Sequence, residues 1–344
     1  MKLIIQIPCY NEEETLPQTI ADLPVKIDGI DEIEYLIIND GSRDRTVEVA
    51  KACGVHHAVI FKNNKGLAKG FMAGIDACLR LGADIIVNTD ADNQYSGADI
   101  VKLVEPILNG EADCTIGSRP INDIEHFSKR KKSLQRWGSK IVRYFSGTHV
   151  EDAPSGFRGY SRAAAMKLNV MNNYTYTMET LIQAGRNKLL IECVPISTNP
   201  ETRQSRLFKS MFSYIRRSGI TILRSFMMYK PTNFFLFFGS LMIVSGLVID
   251  IRFLIYHLQG NASGHIQSLI LSVLLLLIGF ILIVAALLGE LISTNRRLLE
   301  EIQTRVRSMD YRIPGVSADE VNQLRDLASE KQKEQDKKTG DTPR

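Results

Sequence analysis

Residues 269–289 carry no charged side chain and are almost wholly apolar. That length matches the ~20 residues a helix needs to cross the hydrocarbon core of a bilayer, so a transmembrane helix is expected there. A second uncharged run, residues 234–249, is followed by Asp250 and Arg252 before residues 253–256 turn apolar again. Either that helix ends near Asp250 or the charged pair lies at the membrane interface; two spans are expected. Arg216, Arg217, Arg224 and Lys230 precede the first run, and Arg296, Arg297, Arg305 and Arg307 follow the second. The loop between them, residues 257–265, has neither Lys nor Arg, which by the positive-inside rule puts both ends in the cytoplasm. Residues 1–7 hold one lysine and a very short apolar run ahead of Pro8, less than a signal peptide needs, so the N-terminal part is expected to start in the cytosol.

The chain has 344 residues, enough for one large domain with an appendage. Its net charge of +4 is mild and demands no nucleic-acid partner. Cys9, Cys53, Cys78, Cys114 and Cys193 form no C-x-x-C pair, as suits buried thiols in a reducing compartment; a zinc site or disulfide frame is not expected.

Up to about residue 200 short apolar, β-rich runs alternate with helical stretches. Residues 3–7, 35–38, 58–61, 85–89, 114–117 and 190–196 read as strands. The first helix is expected to start at Asn11 as N-cap, with Glu12, Glu13 and Glu14 in its first turn and Glu14 closing a capping box. This β-α-β order implies an α/β fold with a mainly parallel, helix-covered sheet. Such sheets bind ligands at the carboxyl ends of their strands. Polar clusters fall there three times: Tyr10-Asn11-Glu12, Asp40-Gly41-Ser42 and Asp90-Ala91-Asp92.

The strongest chemical signal is Ile85-Ile86-Val87-Asn88-Thr89-Asp90-Ala91-Asp92-Asn93-Gln94, an apolar strand running into two carboxylates. Neighbouring acids repel unless a cation relieves them, and Asp92 with Gln94 would offer oxygen ligands to Mg²⁺ or Mn²⁺, hard ions that also take phosphate oxygens, while Asp90 faces a nucleotide. Asp40 can accept hydrogen bonds from a base or ribose, or cap the following turn. Arg119, in Gly117-Ser118-Arg119, needs an anionic partner, either a structural carboxylate or a ligand. The run Lys129-Arg130-Lys131-Lys132 is either a solvated basic face or a dock for lipid head groups and an acceptor phosphate. Asp152-Ala153-Pro154-Ser155-Gly156-Phe157-Arg158 presents an acid, a hydroxyl and an arginine on a rigid loop. Residues 209–229 mix apolar and basic residues, as an amphipathic helix on a membrane or an ordinary surface helix would.

In order along the chain, P-C-Y-N-E-E, N-D-G-S, K-G-L-A-K-G, D-A-D-N-Q, G-S-R and D-A-P-S-G-F-R resemble the family 2 inverting glycosyltransferases, in particular the dolichol-phosphate mannosyltransferase and polyprenyl-phosphate glycosyltransferase branch. The resemblance covers roughly residues 1–210. It implies a GT-A fold and a UDP- or GDP-sugar donor. By resemblance Pro8, Tyr10, Glu12 and Asp40 contact base and ribose, Asp90 the nucleotide, and Asp92 with Gln94 the Mg²⁺ or Mn²⁺ on the diphosphate. Arg203 and Arg206 match the basic segment that closes over the diphosphate, without its usual glycine. Arg119, Lys132, Ser155 and Arg158 would meet the acceptor phosphate, with Asp92, Arg119 and Asp152 at the catalytic centre.

These readings divide the chain into a cytoplasmic GT-A domain (residues 1–205), an amphipathic membrane-surface region (206–231), two transmembrane helices (232–292) and a charged, partly disordered tail (293–344). The expected function is inverting sugar transfer from a nucleotide-sugar to polyprenyl phosphate, dolichyl or undecaprenyl, at the cytoplasmic face. The spans also offer a surface for homo-oligomers. A polysaccharide synthase would carry Q-x-x-R-W, whereas Gln135-Arg136-Trp137 has the wrong spacing. A non-catalytic nucleotide-binding adaptor would not need the intact acids.

Overall fold

The computed structural model describes residues 1–119, 152–170, 176–199, 231–259 and 266–310, with Arg143, Thr148, Val150 and Gly219 as single positions. Seven strands, β1 (Lys2–Cys9), β2 (Glu32–Asn39), β3 (His57–Ile60), β4 (Ile85–Asn88), β5 (Cys114–Ser118), β6 (Arg158–Ser161) and β7 (Ile191–Pro195), form one sheet in the order β3-β2-β1-β4-β6-β5-β7. All pairings are parallel except those of β6, which runs antiparallel between β4 and β5.

Alternation along β1 explains the layered core. Leu3, Ile5 and Ile7 point into an apolar cluster on one face, and Ile4 into a second cluster on the other, as period-2 side chains require. The helices α1 (Leu16–Ala21), α2 (Thr46–Ala52), α3 (Leu67–Arg80), α4 (Ile100–Leu108), α5 (Arg162–Lys167) and α6 (Thr177–Arg186) accompany the strands. Helix α3 packs closely on the sheet through Gly74, where an added Cβ would lie 2.2 Å from Gln6 Oε1 and 2.8 Å from Ile38 Cδ1.

The expected strands form, but two local expectations need correction. Arg158, read as the last residue of the D-A-P-S-G-F-R loop, instead opens strand β6, whose Gly159 fits against β5: a Cβ there would stand 2.4 Å from Thr115 Oγ1. The first helix does not start at Asn11. Asn11 has φ 57°, a left-handed conformation that interrupts a right-handed helix, and α1 begins at Leu16 after Thr15, with Pro17 in its first turn. Glu14 therefore closes no capping box; Thr15 instead donates its hydroxyl to Glu12 Oε2 at 2.8 Å.

Two further helices, α7 (Pro231–Leu258, 28 residues) and α8 (Ile266–Asp310, 45 residues), are long and apolar enough to cross a membrane. Helix α7 continues through Asp250 and Arg252 without ending there. The pair is seamed by small residues: Gly239 and Gly246 on α7 meet Gly279 and Ser272 on α8, and the buried small residues of each helix, Ala286 included, recur at seven-residue intervals. Such spacing keeps the small residues on one face and lets the backbones come close. A Cβ at Gly279 would lie 2.6 Å from Ile243 Cγ1 and 3.0 Å from Gly239 O. Ser272 donates to Asp250 near one end of the seam, and Thr232 to Glu290 near the other.

At 1.5 Å per residue α8 is about 68 Å long, over twice the ~30 Å hydrocarbon core. Its C-terminal part lies along the α/β domain, where Arg307 Nη1 donates to Leu168 O at 2.7 Å and Asp310 pairs with Arg80 at 2.8 Å. The tail beyond Asp310 and most of the amphipathic region lie outside the described residues. Gly74→Ala is expected to destabilise the domain by about 1–3 kcal/mol through overpacking, read as a lower thermal midpoint of the full-length protein in detergent; an unchanged midpoint would contradict the close α3–sheet approach.

Candidate active site

The strand order reverses between β1 and β4, whose partners on the outer sides are β2 and β6. Open sheets form their ligand crevice at such a switch point, beyond the carboxyl ends of the strands. Register sets Cys9 beside Asn39 and Gln6 beside Asn88, so the polar segments after β1, β2 and β4 emerge together on one rim.

After β1, Pro8 is half-buried, Tyr10 is exposed and Glu12 is buried. The left-handed Asn11 is held on both sides: its N–H donates to Ser42 Oγ at 2.9 Å and its Oδ1 accepts from Arg43 N at 2.8 Å. Glu12 donates its N–H to Thr46 Oγ1 at 2.9 Å. The β1 and β2 rim segments are thus clasped to each other.

Asp40, buried at the end of β2, accepts the backbone N–H of Lys65 at 2.6 Å and of Gly66 at 2.9 Å, one on each oxygen. It fastens the loop that leads into α3, so its carboxylate has a structural task. Each oxygen keeps a further lone pair for a ligand donor. Gly41 has φ 73°, and a Cβ there would be 2.7 Å from the backbone of Asn63 and Asn64, which explains why glycine stands in N-D-G-S.

Asp90 and Asp92 follow β4, each half-buried. Asp92 Oδ1 accepts the Gln94 N–H at 3.2 Å across Asn93, which has φ 54°. Asn199 pins this turn from outside, donating its side chain to Asn93 O at 3.0 Å and its N–H to Gln94 O at 2.9 Å. Among the described residues no group of three or more His, Cys, Asp or Glu side chains gathers to hold a metal. The donors at the strand end are hard oxygens, however, and Mg²⁺ is commonly held by one or two carboxylates with its shell completed by ligand phosphates and water. Asp92 and Gln94 fit such a partial shell.

Beneath Asp90 lies a buried polar chain. Gln6 Nε2 donates to Asn88 Oδ1 at 2.9 Å, and Asn88 Nδ2 donates to both Gly156 O and the Tyr176 hydroxyl at 2.9 Å. Tyr176 stacks on Phe71, with ring centroids 3.9 Å apart. Burial, and then the nearby charge of Asp90, push the Tyr176 hydroxyl pKa up, keeping it protonated. A Cβ at Gly156 would lie 2.9 Å from that hydroxyl oxygen and 3.3 Å from both carboxylate oxygens of Asp90. The D-A-P-S-G-F-R loop therefore packs directly against D-A-D.

On that loop Asp152 is fully buried and receives Arg119 in a two-point fork, Nε to Oδ2 at 2.6 Å and Nη2 to Oδ1 at 3.0 Å. The Arg119 side chain stays 16% accessible while Asp152 is closed off, so Arg119 is the member of the pair that a ligand can touch. Burial pulls its pKa down, but its electrostatic interactions, with Tyr95 and Asp152 first, more than offset this, and the net shift is upward. Tyr95 stacks on Phe157 at 4.9 Å and accepts the Gly156 N–H at 3.2 Å. Ser155 Oγ is buried and has no hydrogen-bond partner among the described residues.

Arg158 is a correction. Expected to meet an acceptor phosphate, it has no exposed surface. Its Nε donates to Ser155 O and its Nη2 to Ala153 O, each at 2.8 Å, while Nη1 donates to Thr177 O at 2.8 Å and Thr180 Oγ1 at 2.7 Å. It shapes the loop from below. Lys132, Arg203 and Arg206 lie outside the described residues.

The supporting residues Gln6, Asn88, Tyr95 and Tyr176 were not singled out from sequence. Gln6 and Asn88 did leave a signal, each being a polar side chain in an otherwise apolar strand. Arg158→Met should leave its carbonyl acceptors unsatisfied and cost about 3–5 kcal/mol, measured by chemical denaturation of the detergent-solubilised protein. Loss of acceptor affinity at wild-type stability would restore Arg158 to the ligand side.

Residues 4–168 match the family model described as Glycosyl transferase family 2. A UDP-N-acetylglucosamine–dolichyl-phosphate N-acetylglucosaminyltransferase from Methanococcus voltae is 29% identical over 265 residues, 71% of this chain and 96% of that protein. An uncharacterized protein of Methanocaldococcus jannaschii is 31% identical, over 57% of this chain and 81% of its own. Among solved structures, glucosyl-3-phosphoglycerate synthase from Mycobacterium tuberculosis, crystallised with Mn²⁺, UDP-glucose and phosphoglyceric acid, superposes with a TM-score of 0.52 at 20% identity, over 66% of this chain and 78% of that one. That likeness extends to the GT-A-like sheet and its helices. The chain belongs to glycosyl transferase family 2.

Proposed function

We propose that this glycosyltransferase moves a sugar, with inversion, from a UDP- or GDP-sugar to a polyprenyl phosphate at the cytoplasmic face of a membrane. The observation that carries the reading is the packing of D-A-D against the loop whose Asp152 holds Arg119, which sets donor-side acids beside a partly accessible arginine. The relative from Methanococcus voltae, named for dolichyl phosphate as acceptor and similar over 96% of its length, supports the same acceptor class. In this reading α7 and α8 cross the bilayer with both chain ends in the cytoplasm, as the Lys and Arg flanking them favour.

Tyr10, Glu12, Asp40 and Asp90 would line the nucleotide side of the crevice. Asp92 and Gln94 would hold a Mg²⁺ or Mn²⁺ ion, which when bound neutralises charge on the nucleotide diphosphate. Arg203 and Arg206 are assigned to that diphosphate by resemblance, and Lys132 and Ser155 to the acceptor. A phosphate monoester is already ionised at neutral pH, so the nucleophile needs no base to deprotonate it. The larger task is to bring an anionic acceptor up to an anionic donor in attacking geometry. Arg119 is suited to it: its fork on Asp152 fixes the guanidinium plane, and the side chain is not fully closed off, so that it would take a phosphate oxygen. Asp152, fully buried and locked to Arg119, would orient that cation. Asp92→Asn keeps the size and turn geometry, and is expected to lower kcat for transfer by at least about a hundredfold with an unchanged thermal midpoint; turnover like that of the wild type would remove Asp92 from the site.

A further inference from the structure

One turn of α6 touches the acceptor-side loop and the membrane hairpin at once. Tyr176, immediately before α6, reaches Gly156 and Asn88 through its hydroxyl. Thr177 O and Thr180 Oγ1 hold the Arg158 guanidinium, which holds the carbonyls of Ala153 and Ser155. Between those threonines Glu179, nearly buried, faces the other way and pairs with Arg296 on α8 at 3.6 Å. Arg296 also binds Glu300 at 2.8 Å, Arg186 at the end of α6 reaches Glu300 at 3.9 Å, and Arg186 Nη2 donates to Ser293 O at 3.3 Å. Glu179 and Arg296 are shielded, with 4% and 14% of their side chains accessible, so this pairing is less screened than a surface ion pair. Ser293 continues the seven-residue spacing of Ser272, Gly279 and Ala286 along α8.

We propose that Glu179 and Arg296 are positioning residues for the transfer reaction: the α8 extension fixes the first turn of α6, and α6 fixes the D-A-P-S-G-F-R loop through Arg158 and Tyr176. The hairpin then does more than tether the domain, because the site that receives a membrane-bound acceptor takes its shape from the helix standing in that membrane. Neither residue touches the reacting atoms. The acceptor half of this inference rests on the proposed function; the mechanical half does not.

The test uses the full-length protein in lipid nanodiscs. Arg296→Met and Glu179→Gln are each expected to speed amide hydrogen exchange at residues 155–157 by roughly tenfold, with exchange in α4 unchanged. Both should raise KM for polyprenyl phosphate by about five- to tenfold while leaving KM for the nucleotide-sugar within about twofold. Arg296→Lys, which keeps the cation, should restore both readouts to near wild type. Unaltered loop exchange in both variants overturns the linkage, as does a rise in exchange throughout the domain, which marks a purely structural role. If the loop responds but the wild-type protein transfers no sugar to polyprenyl phosphate, the linkage stands and the acceptor assignment falls.

Discussion

The Arg158 guanidinium is removed from water altogether, and its hydrogen bonds end on neutral oxygens of two separate segments, residues 153–155 and 177–180. Burying a cation costs several kcal/mol unless its donors are satisfied. The fork geometry of arginine satisfies them here, in directions that a lysine could not match. The loop thereby acquires one conformation. That conformation puts Asp152 under Arg119, Gly156 against Asp90 and Tyr176, and Phe157 against Tyr95. Removing this one side chain would release the loop from α6 and disturb both halves of the site.

Around that centre the architecture is economical. A parallel β1–β2 and β1–β4 arrangement brings three loops to one rim, and an antiparallel β6 inserted beside β4 delivers the D-A-P-S-G-F-R loop to the same place. Gly74, Gly156 and Gly159 stand where a methyl group would collide with a buried side chain. In α7 and α8 small residues serve a parallel purpose, letting the two backbones approach closely. The same α8 then leaves the apolar seam and lies along the domain as one uninterrupted helix.

Much of this was legible in the sequence because the signals were periodic or compositional. Six strands announced themselves as apolar β-branched runs, the spans as uncharged stretches, and the rim as acids placed just after strands. What escaped was set by tertiary partners. Strand β6 reads Arg-Gly-Tyr-Ser, a sequence with little strand propensity that pairs because Gly159 fits under Thr115. The left-handed Asn11, which delays α1, is stabilised by Ser42 and Arg43 from another loop. Arg158 resembled a ligand contact because motif position tells which residues meet, and not which way a long side chain points. Asp40 is both a loop fastener and a rim acid, and one residue type serves both tasks.

Everything proposed for the acceptor side turns on a polyprenyl phosphate receiving the sugar. The most direct measurement incubates the full-length protein in nanodiscs with Mg²⁺ or Mn²⁺, polyprenyl phosphate and a panel of labelled UDP- and GDP-sugars, then assigns the anomeric configuration of any lipid product by NMR. One nucleotide-sugar should yield a lipid-phosphate-linked sugar of inverted configuration. Nucleotide release without a labelled lipid, or a product that retains the donor's configuration, would contradict it.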